Sequence, residues 1–197
     1  MNVVLYGDSN TYGLSPNGSR YDNRYSNILK KHFNNKVNIY EEGLIGRTTV
    51  YDDYRPNRKA LDDILDTLSK YEHIDLLVVM LGTNDYKKNN AKNLNELKKG
   101  MDELLNIVSS KTKYLLIISP ILLNDHIEIL DSEYDHNSYL LSKEGYKVYN
   151  ALARKYNALY LDAKAFAKAG ADGEHFEEEG HIKLANKLIP IIEVLAN

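Results

Sequence analysis

The chain contains no cysteine and no tryptophan among its 197 residues. The lack of cysteine excludes disulfide bonds, a thiol nucleophile and cysteine-ligated zinc. No apolar run approaches the ~20 residues that a membrane-spanning helix needs, so we expect no membrane partner. The formal net charge of −3 provides no basic field for a phosphate backbone, and nucleic acid is not an expected partner either.

The length and the hydrophobic content of 43% allow one substantial core and are short for two. We therefore expect a single domain over residues 1–197. The amino terminus passes from Met1 and Asn2 directly into a strand-like run, without the positive segment, apolar stretch and cleavage site of a secretion signal. This favours a cytoplasmic protein.

Five apolar runs, at residues 3–6, 37–40, 74–81, 114–119 and 159–161, predict the strands of a sheet. The run at 74–81 is almost continuously apolar, as in a parallel strand covered on both faces. Segments with helical spacing separate the runs, at about 22–33, 61–68, 94–108 and 137–156, and a last helix follows. This alternation predicts an α/β, three-layer α/β/α domain with a five-stranded parallel sheet, for which the flavodoxin-like order 2-1-3-4-5 is expected. Residues 121–135 show no clear period and are interpreted as a surface excursion.

Polar motifs follow these strands at one edge of the sheet. Ser9 follows the first strand, Gly46 the second and Asn84 the third, whereas Asp172 and His175 come after the fifth. Parallel strands present their carboxyl ends together. We therefore expect these five residues around one crevice.

The motifs supply what acyl transfer needs: a nucleophile, a base, an acid that orients the base, and donors for the developing oxyanion. Ser9 is the candidate nucleophile and His175 the candidate base. Asp172 is placed to accept the Nδ1 proton of His175. The candidate oxyanion donors are the backbone N–H groups of Ser9 and Gly46 and the side-chain amide of Asn84.

Each assignment has an alternative on local sequence alone. Ser9 can merely cap a helix, and an Asp-x-x-His pair is commonly a turn with a surface histidine. Asn84 and Gly46 can serve only their turns. Asp162, at the end of the fifth strand, competes with Asp172 as the orienting acid.

Other residues near the motifs are assigned supporting roles. Asp8 is interpreted as holding its loop through backbone hydrogen bonds, and His181 as a residue behind the site. No nucleophile elbow, Walker A loop, dinucleotide-binding glycine motif or His-Glu-x-x-His zinc motif occurs in the sequence. The remaining four histidines are expected on the solvated surface: His32, His73, His126 and His136.

The four ordered blocks resemble those of the SGNH hydrolases, also called the GDSL esterase/lipase family. They are Gly7-Asp8-Ser9, Gly46, Gly82-Thr83-Asn84-Asp85 and Asp172-Gly173-Glu174-His175, and the resemblance covers most of the chain. Residues 43–49 and 81–85 further resemble the arylesterase and acyltransferase-like branch. Two positions depart from the family: Asn10 replaces the Leu of the common name, and Glu41 stands where many members carry Asn.

The resemblance implies a serine esterase that hydrolyses small aryl or acetyl esters through an acyl-enzyme intermediate, with no metal or cofactor. It also implies acyl transfer to alcohols as a further capability, and self-association, because members of this branch are often oligomeric. A carbohydrate O-acetyl esterase is the alternative within the enzyme class. From another class, the chain could be a non-catalytic binding module in which Ser9, Gly46 and Asn84 hold a small anionic molecule.

Five residues next to the motifs are expected to line the substrate pocket because they directly follow residues of the site. They are Asn10, Tyr12, Arg47, Tyr86 and Phe176.

Overall fold

The five predicted strands form one parallel sheet. They are β1 (Asn2–Gly7), β2 (Asn38–Gly43), β3 (Leu76–Met80), β4 (Tyr114–Ser119) and β5 (Leu159–Asp162). Their order is β2-β1-β3-β4-β5, and each neighbouring pair is parallel. The computed structural model describes residues 1–196. The predicted fold class and strand order are confirmed.

Seven helices lie among the described residues: α1 (Ser9–Tyr12), α2 (Tyr25–Phe33), α3 (Ala60–Leu68), α4 (Leu94–Val108), α5 (Ile127–Leu130), α6 (His136–Lys155) and α7 (Glu178–Ala196). Single 3₁₀ turns lie at Asn84–Tyr86 and Ala163–Ala165. None of the helices within residues 1–196 has both the length and the apolarity needed to span a bilayer.

The helices cover both faces of the sheet because alternate strand residues point to opposite sides. On β1, Val4 and Tyr6 belong to one buried cluster with α3, α4 and α6, whereas Val3 and Leu5 belong to the other with α2 and α7. All five residues of β3 are buried, as expected for a central strand covered twice. The two cores fix the position of the loops at the carboxyl edge.

Strand β2 extends further than the sequence predicts. Residues 41–43 lie beyond the predicted run at 37–40, and they pair in register with β1 as far as the Gly7 and Gly43 pair. The Glu41 carboxylate is held there by Arg24, among other donors. A Cβ on Gly43 would lie 2.2 Å from the backbone nitrogen of Tyr12, so the glycine lets α1 pack directly on this strand.

Residues 121–135 run along the surface as predicted, but the segment is also anchored in the core. Four apolar side chains of the segment are buried although they follow no regular period, and only Ile127 among them lies on a helix, the short α5: Ile121, Leu123, Ile127 and Tyr134. The backbone N–H of Asn124 donates to the carbonyl of Gly173 at 2.9 Å. The segment therefore supports the loop that carries His175.

Candidate active site

Ser9 is the first residue of α1 and follows β1 after a tight turn. Asp8 is the N-cap, and its carboxylate accepts the backbone N–H of Asn10 at 2.9 Å. Asp8 thus holds the turn, as predicted, and Ser9 is not the capping residue. A Cβ on Gly7 would lie 2.0 Å from Thr11 Oγ1 and 2.5 Å from the carbonyl oxygen of Met80, so this turn requires glycine.

A continuous hydrogen-bonded chain runs from Ser9 through His175 to Asp172. Ser9 Oγ lies 2.8 Å from Nε2 of His175, and Nδ1 of His175 lies 2.6 Å from Oδ2 of Asp172. The other oxygen of Asp172 accepts the backbone N–H groups of Glu174 and His175, each at 3.1 Å. Asp172 therefore sets both the shape of the loop and the orientation of the imidazole.

The alternative orienting acid, Asp162, has a different partner. Its Oδ1 accepts the hydroxyl of Ser119 at 2.9 Å, at the carboxyl end of the neighbouring strand. The geometry thus favours Asp172 over Asp162.

Asp172 and His175 each shift the pKa of the other toward its charged form. Burial alone would raise the pKa of Asp172, but the hydrogen bond and positive charge of His175 hold that pKa below its ordinary value. Burial alone would lower the pKa of His175, but the hydrogen bond to Asp172 and the charges of Glu174 and Asp172 raise it. The site therefore stabilises an imidazolium beside the Ser9 hydroxyl.

Each of the three candidate oxyanion donors keeps an N–H group that no protein acceptor within residues 1–196 takes. Among residues 1–196, the backbone N–H groups of Ser9 and Gly46 donate to no protein acceptor. One N–H of the Asn84 amide donates to the carbonyl of Arg47 at 3.1 Å, which fixes the amide and leaves its second N–H for a ligand. Gly46 has φ of +78°, a conformation that favours glycine.

Two buried contacts join the loops that carry these donors. The Asp85 carboxylate accepts the backbone N–H and the hydroxyl of Thr49, at 2.9 and 2.7 Å. Burial, partly offset by those hydrogen bonds, raises the pKa of Asp85 to about 6. Arg47 lies over the Tyr6 ring at 4.0 Å and donates to the carbonyl of Gly7 at 2.9 Å. The loops after β1, β2 and β3 are therefore tied to one another.

Asn10 connects the serine helix to the histidine loop. Its Oδ1 accepts the backbone N–H of Phe176 at 2.8 Å, and its Nδ2 donates to the carbonyl of Glu174 at 3.1 Å. Both ends of the amide are thus engaged by residues flanking His175.

Most of the predicted pocket-lining residues have other positions. Arg47 is buried against β1, and Tyr86 is buried in the core where it packs on Gly145 of α6. Asn10 holds the histidine loop, and the buried Phe176 packs on the ring of His181, behind the site. These four side chains are held by protein contacts, and their contact with a substrate stays a prediction. Tyr12 is half-buried, beneath the guanidinium of Arg20 at 3.9 Å.

His181 lies behind the site, as predicted. Its ring stacks with Tyr25 and meets Phe176 edge-on, and both of its ring nitrogens are buried without a hydrogen-bond partner among the described residues. Burial and the charge of Arg24 lower the pKa of His181 to about 4. The other four histidines are exposed, as predicted.

Sequence reasoning missed two neighbours of the site. The guanidinium of Arg55 is held by both carboxylate oxygens of Asp53, at 2.7 and 2.9 Å, and lies against Gly46. Glu174 lies beside the imidazole of His175. Only the unusual Asp-x-Arg and Gly-Glu-His spacings mark them in the sequence, and neither spacing identifies a function.

A parallel α/β sheet with a serine hydroxyl, an imidazole and a carboxylate aligned at its carboxyl edge defines a hydrolase of the serine class. Residues 3–188 match the family described as GDSL-like Lipase/Acylhydrolase, and the chain belongs to that family. The family membership predicted from the four sequence blocks is confirmed, and the protein is a carboxylic ester hydrolase. No curated protein matches the chain significantly.

Solved structures of the same fold include two esterases. The inhibitor-bound aryl esterase of M. smegmatis is 25% identical, with 98% of this chain and 99% of that chain covered and a TM-score of 0.87. A carbohydrate acetylesterase from Sinorhizobium meliloti is 26% identical, with the same coverage and a TM-score of 0.87.

Proposed function

We propose that the chain is a serine esterase that hydrolyses small aryl or acetyl esters through an acyl-enzyme intermediate. The observation that carries this proposal is the continuous contact from Ser9 Oγ to His175 Nε2 at 2.8 Å and from His175 Nδ1 to Asp172 at 2.6 Å. Nucleophile, base and orienting acid are thus within hydrogen-bond reach of each other without rearrangement.

In the first half-reaction, Nε2 of His175 takes the hydroxyl proton while Ser9 Oγ bonds to the ester carbonyl carbon. The carbonyl oxygen becomes an oxyanion facing the N–H groups of Ser9 and Gly46 and the free N–H of Asn84. Collapse of this intermediate breaks the bond to the alcohol, which leaves with the proton from His175. Removing one such donor typically costs roughly 3 kcal/mol of transition-state stabilisation.

In the second half-reaction, water attacks the acyl-enzyme and His175 again takes and returns the proton. The product acid leaves and the Ser9 hydroxyl is restored. An alcohol in place of water gives acyl transfer by the same steps.

The site favours a small acyl group. Ser9 is 3% exposed and His175 is 7% exposed, so little of either side chain is open to solvent. We expect kcat/KM to fall steeply as the acyl chain lengthens from acetate to octanoate. A flat profile would contradict this part of the proposal.

Replacement of Ser9 tests the nucleophile. Ser9→Ala should abolish turnover of p-nitrophenyl acetate, with an unchanged circular dichroism spectrum. Ser69→Ala is the matched control, because Ser69 is exposed and bonds only to its own helix turn. Activity of Ser9→Ala within a few-fold of the wild type would refute the proposal.

A carbohydrate O-acetyl esterase is the second candidate. It is supported by the likeness to the S. meliloti carbohydrate acetylesterase, which matches this chain as well as the aryl esterase does. Aryl acetates and acetylated sugars compared at equal concentration separate the two candidates, because the catalytic groups would be the same and only the alcohol portion differs.

Four further properties are expected from the sequence and belong to the proposal. They are a single domain over the whole chain, cytoplasmic action, self-association and the absence of a nucleic-acid partner. A non-catalytic binding module is the rival of another class, and an esterase-dead wild type that still binds a small anion would favour it.

A further inference from the structure

A second carboxylate lies beside the imidazole of the site. Oε1 of Glu174 is 3.9 Å from Nδ1 of His175, the nitrogen that contacts Asp172 at 2.6 Å. The Glu174 side chain is 14% exposed, so solvent screens its charge only weakly. His175 therefore faces two acidic groups on the side opposite Ser9.

Glu174 is held in this position by a buried tyrosine. The hydroxyl of Tyr134 donates to Oε2 of Glu174 at 2.6 Å and also lies 3.4 Å from the carbonyl oxygen of Thr83. A hydroxyl has one proton, and the short contact to the carboxylate takes it. The bond from Asn10 to the Glu174 carbonyl fixes the backbone. Oε1 is thus left facing the imidazole.

The charges around these groups are mostly negative. His175 faces Asp172 and Glu174 on its own loop and Asp8 at the turn before α1. Glu174 additionally faces Asp131, at the end of α5. Burial raises the pKa of Glu174, and the charge of His175 and the Tyr134 hydroxyl partly offset that rise. The imidazolium formed during catalysis is the cation that this cluster accommodates.

We propose that Glu174, held by Tyr134, is a positioning residue whose carboxylate joins Asp172 in stabilising protonated His175 during acyl transfer. This role rests on the proposed esterase function. Asp172 orients the ring through a direct hydrogen bond, whereas Glu174 acts through its charge at longer range. Glu174 therefore sets the pH range over which His175 works as a base.

The variant Glu174→Gln tests the charge alone, because glutamine keeps an oxygen that can accept the Tyr134 hydroxyl. An anion near His175 favours its protonated form, so removing the anion should lower the pKa on the acidic limb of kcat/KM by about half to one pH unit. Asp125→Asn is the control, since Asp125 is exposed on the neighbouring segment. Removing its charge should leave the pKa on the acidic limb of kcat/KM unchanged. A loss of activity that is equal at every pH would overturn the proposal.

A measurement without turnover separates this proposal from the esterase assignment. The pKa of His175 is followed by NMR in Ser9→Ala and in Ser9→Ala with Glu174→Gln, with the signal assigned through a His175→Gln variant. The proposal predicts a lower pKa in the double variant, and equal values would refute it whether or not the wild type is an esterase. If Glu174→Gln does not fold, Tyr134→Phe replaces it, with a smaller shift in the same direction expected and no shift counting against the proposal.

Discussion

Asn10 accepts the backbone N–H of Phe176 at 2.8 Å, a contact between residues 166 positions apart in the chain. Asn10 follows Ser9 in the chain, and Phe176 follows His175. The contact is buried, so water does not compete for it. The distance between Ser9 and His175 is thus maintained by a neighbouring amide as well as by their own hydrogen bond.

Asn10→Ala should therefore impair catalysis more than folding. Loss of the buried amide leaves the Phe176 N–H and the Glu174 carbonyl without that partner, which costs about 1–3 kcal/mol of stability. The loosened loop should lower kcat roughly 10–100-fold, as expected when a catalytic group shifts by about 1 Å. Asn23→Ala is the control, because Asn23 makes an exposed hydrogen bond to Glu178. A wild-type kcat in Asn10→Ala would show that the hydrogen bonds of Asn10 to Glu174 and Phe176 are dispensable for catalysis.

Gly46→Ala should inactivate the enzyme by displacing the loop that carries the Gly46 N–H. A Cβ there would lie 2.2 Å from Nη2 of Arg55, whose guanidinium is held in place by Asp53, and the loop would move to relieve the contact. We expect kcat/KM to fall at least about 10-fold for p-nitrophenyl acetate, since one oxyanion donor is displaced. Gly18→Ala has nearly the same positive φ with no atom within 4 Å of the new Cβ, so it should lose stability without losing activity. Equal activities for the two variants would refute the assignment of Gly46.

Asp172→Asn and Asp162→Asn distinguish the two candidate orienting acids. Only Asp172 contacts His175, and its replacement removes the anion that fixes the ring tautomer. A loss of about 10⁴-fold in kcat is expected for Asp172→Asn, as in comparable triads, and little change for Asp162→Asn. Steady-state kinetics at one pH above neutrality suffices. The reverse ranking would transfer the role to Asp162.

His181 should make the fold sensitive to acid. Its pKa is lowered to about 4 in the folded chain, so below its ordinary value of 6.5 the unfolded chain binds a proton that the folded chain does not. Stability is then fully present above pH 6.5 and falls by up to about 3 kcal/mol as the pH drops to 4.

His181→Phe should remove this part of the acid sensitivity while keeping a ring beside Tyr25. Urea unfolding of wild type and variant at pH 4, 5, 6 and 7 measures the difference. His136→Gln is the control, since His136 is exposed. Parallel stability curves for wild type and His181→Phe would contradict the buried, unpaired state of this histidine.

The sheet and the triad could be predicted because both depend on local signals. The run at residues 74–81 identifies a doubly covered strand, although β3 itself is Leu76–Met80, and the rule for parallel strands then places Ser9, Asn84 and His175 at one edge. Asp172 could be predicted for a similar reason, since it precedes His175 by only three positions in the chain.

The pocket lining could not be predicted in this way. Whether Arg47 points into a crevice or back onto Tyr6 depends on contacts with β1 and Asp63 that no local pattern encodes. The segment at residues 121–135 escaped prediction for a related reason: its four buried side chains are spaced irregularly, and periodicity detects only regular elements. The position of Glu174 could not be predicted either, because its side chain is held by Tyr134, which lies in that segment.

Covalent labelling shows whether the Ser9 hydroxyl is activated, because an organophosphate reacts much faster with an activated serine than with an ordinary one. We predict one adduct per chain after treatment with diisopropyl fluorophosphate, located on Ser9 by peptide mass spectrometry, and a rate of labelling that falls sharply in His175→Ala. An unlabelled Ser9, or a labelling rate that does not depend on His175, would contradict this prediction.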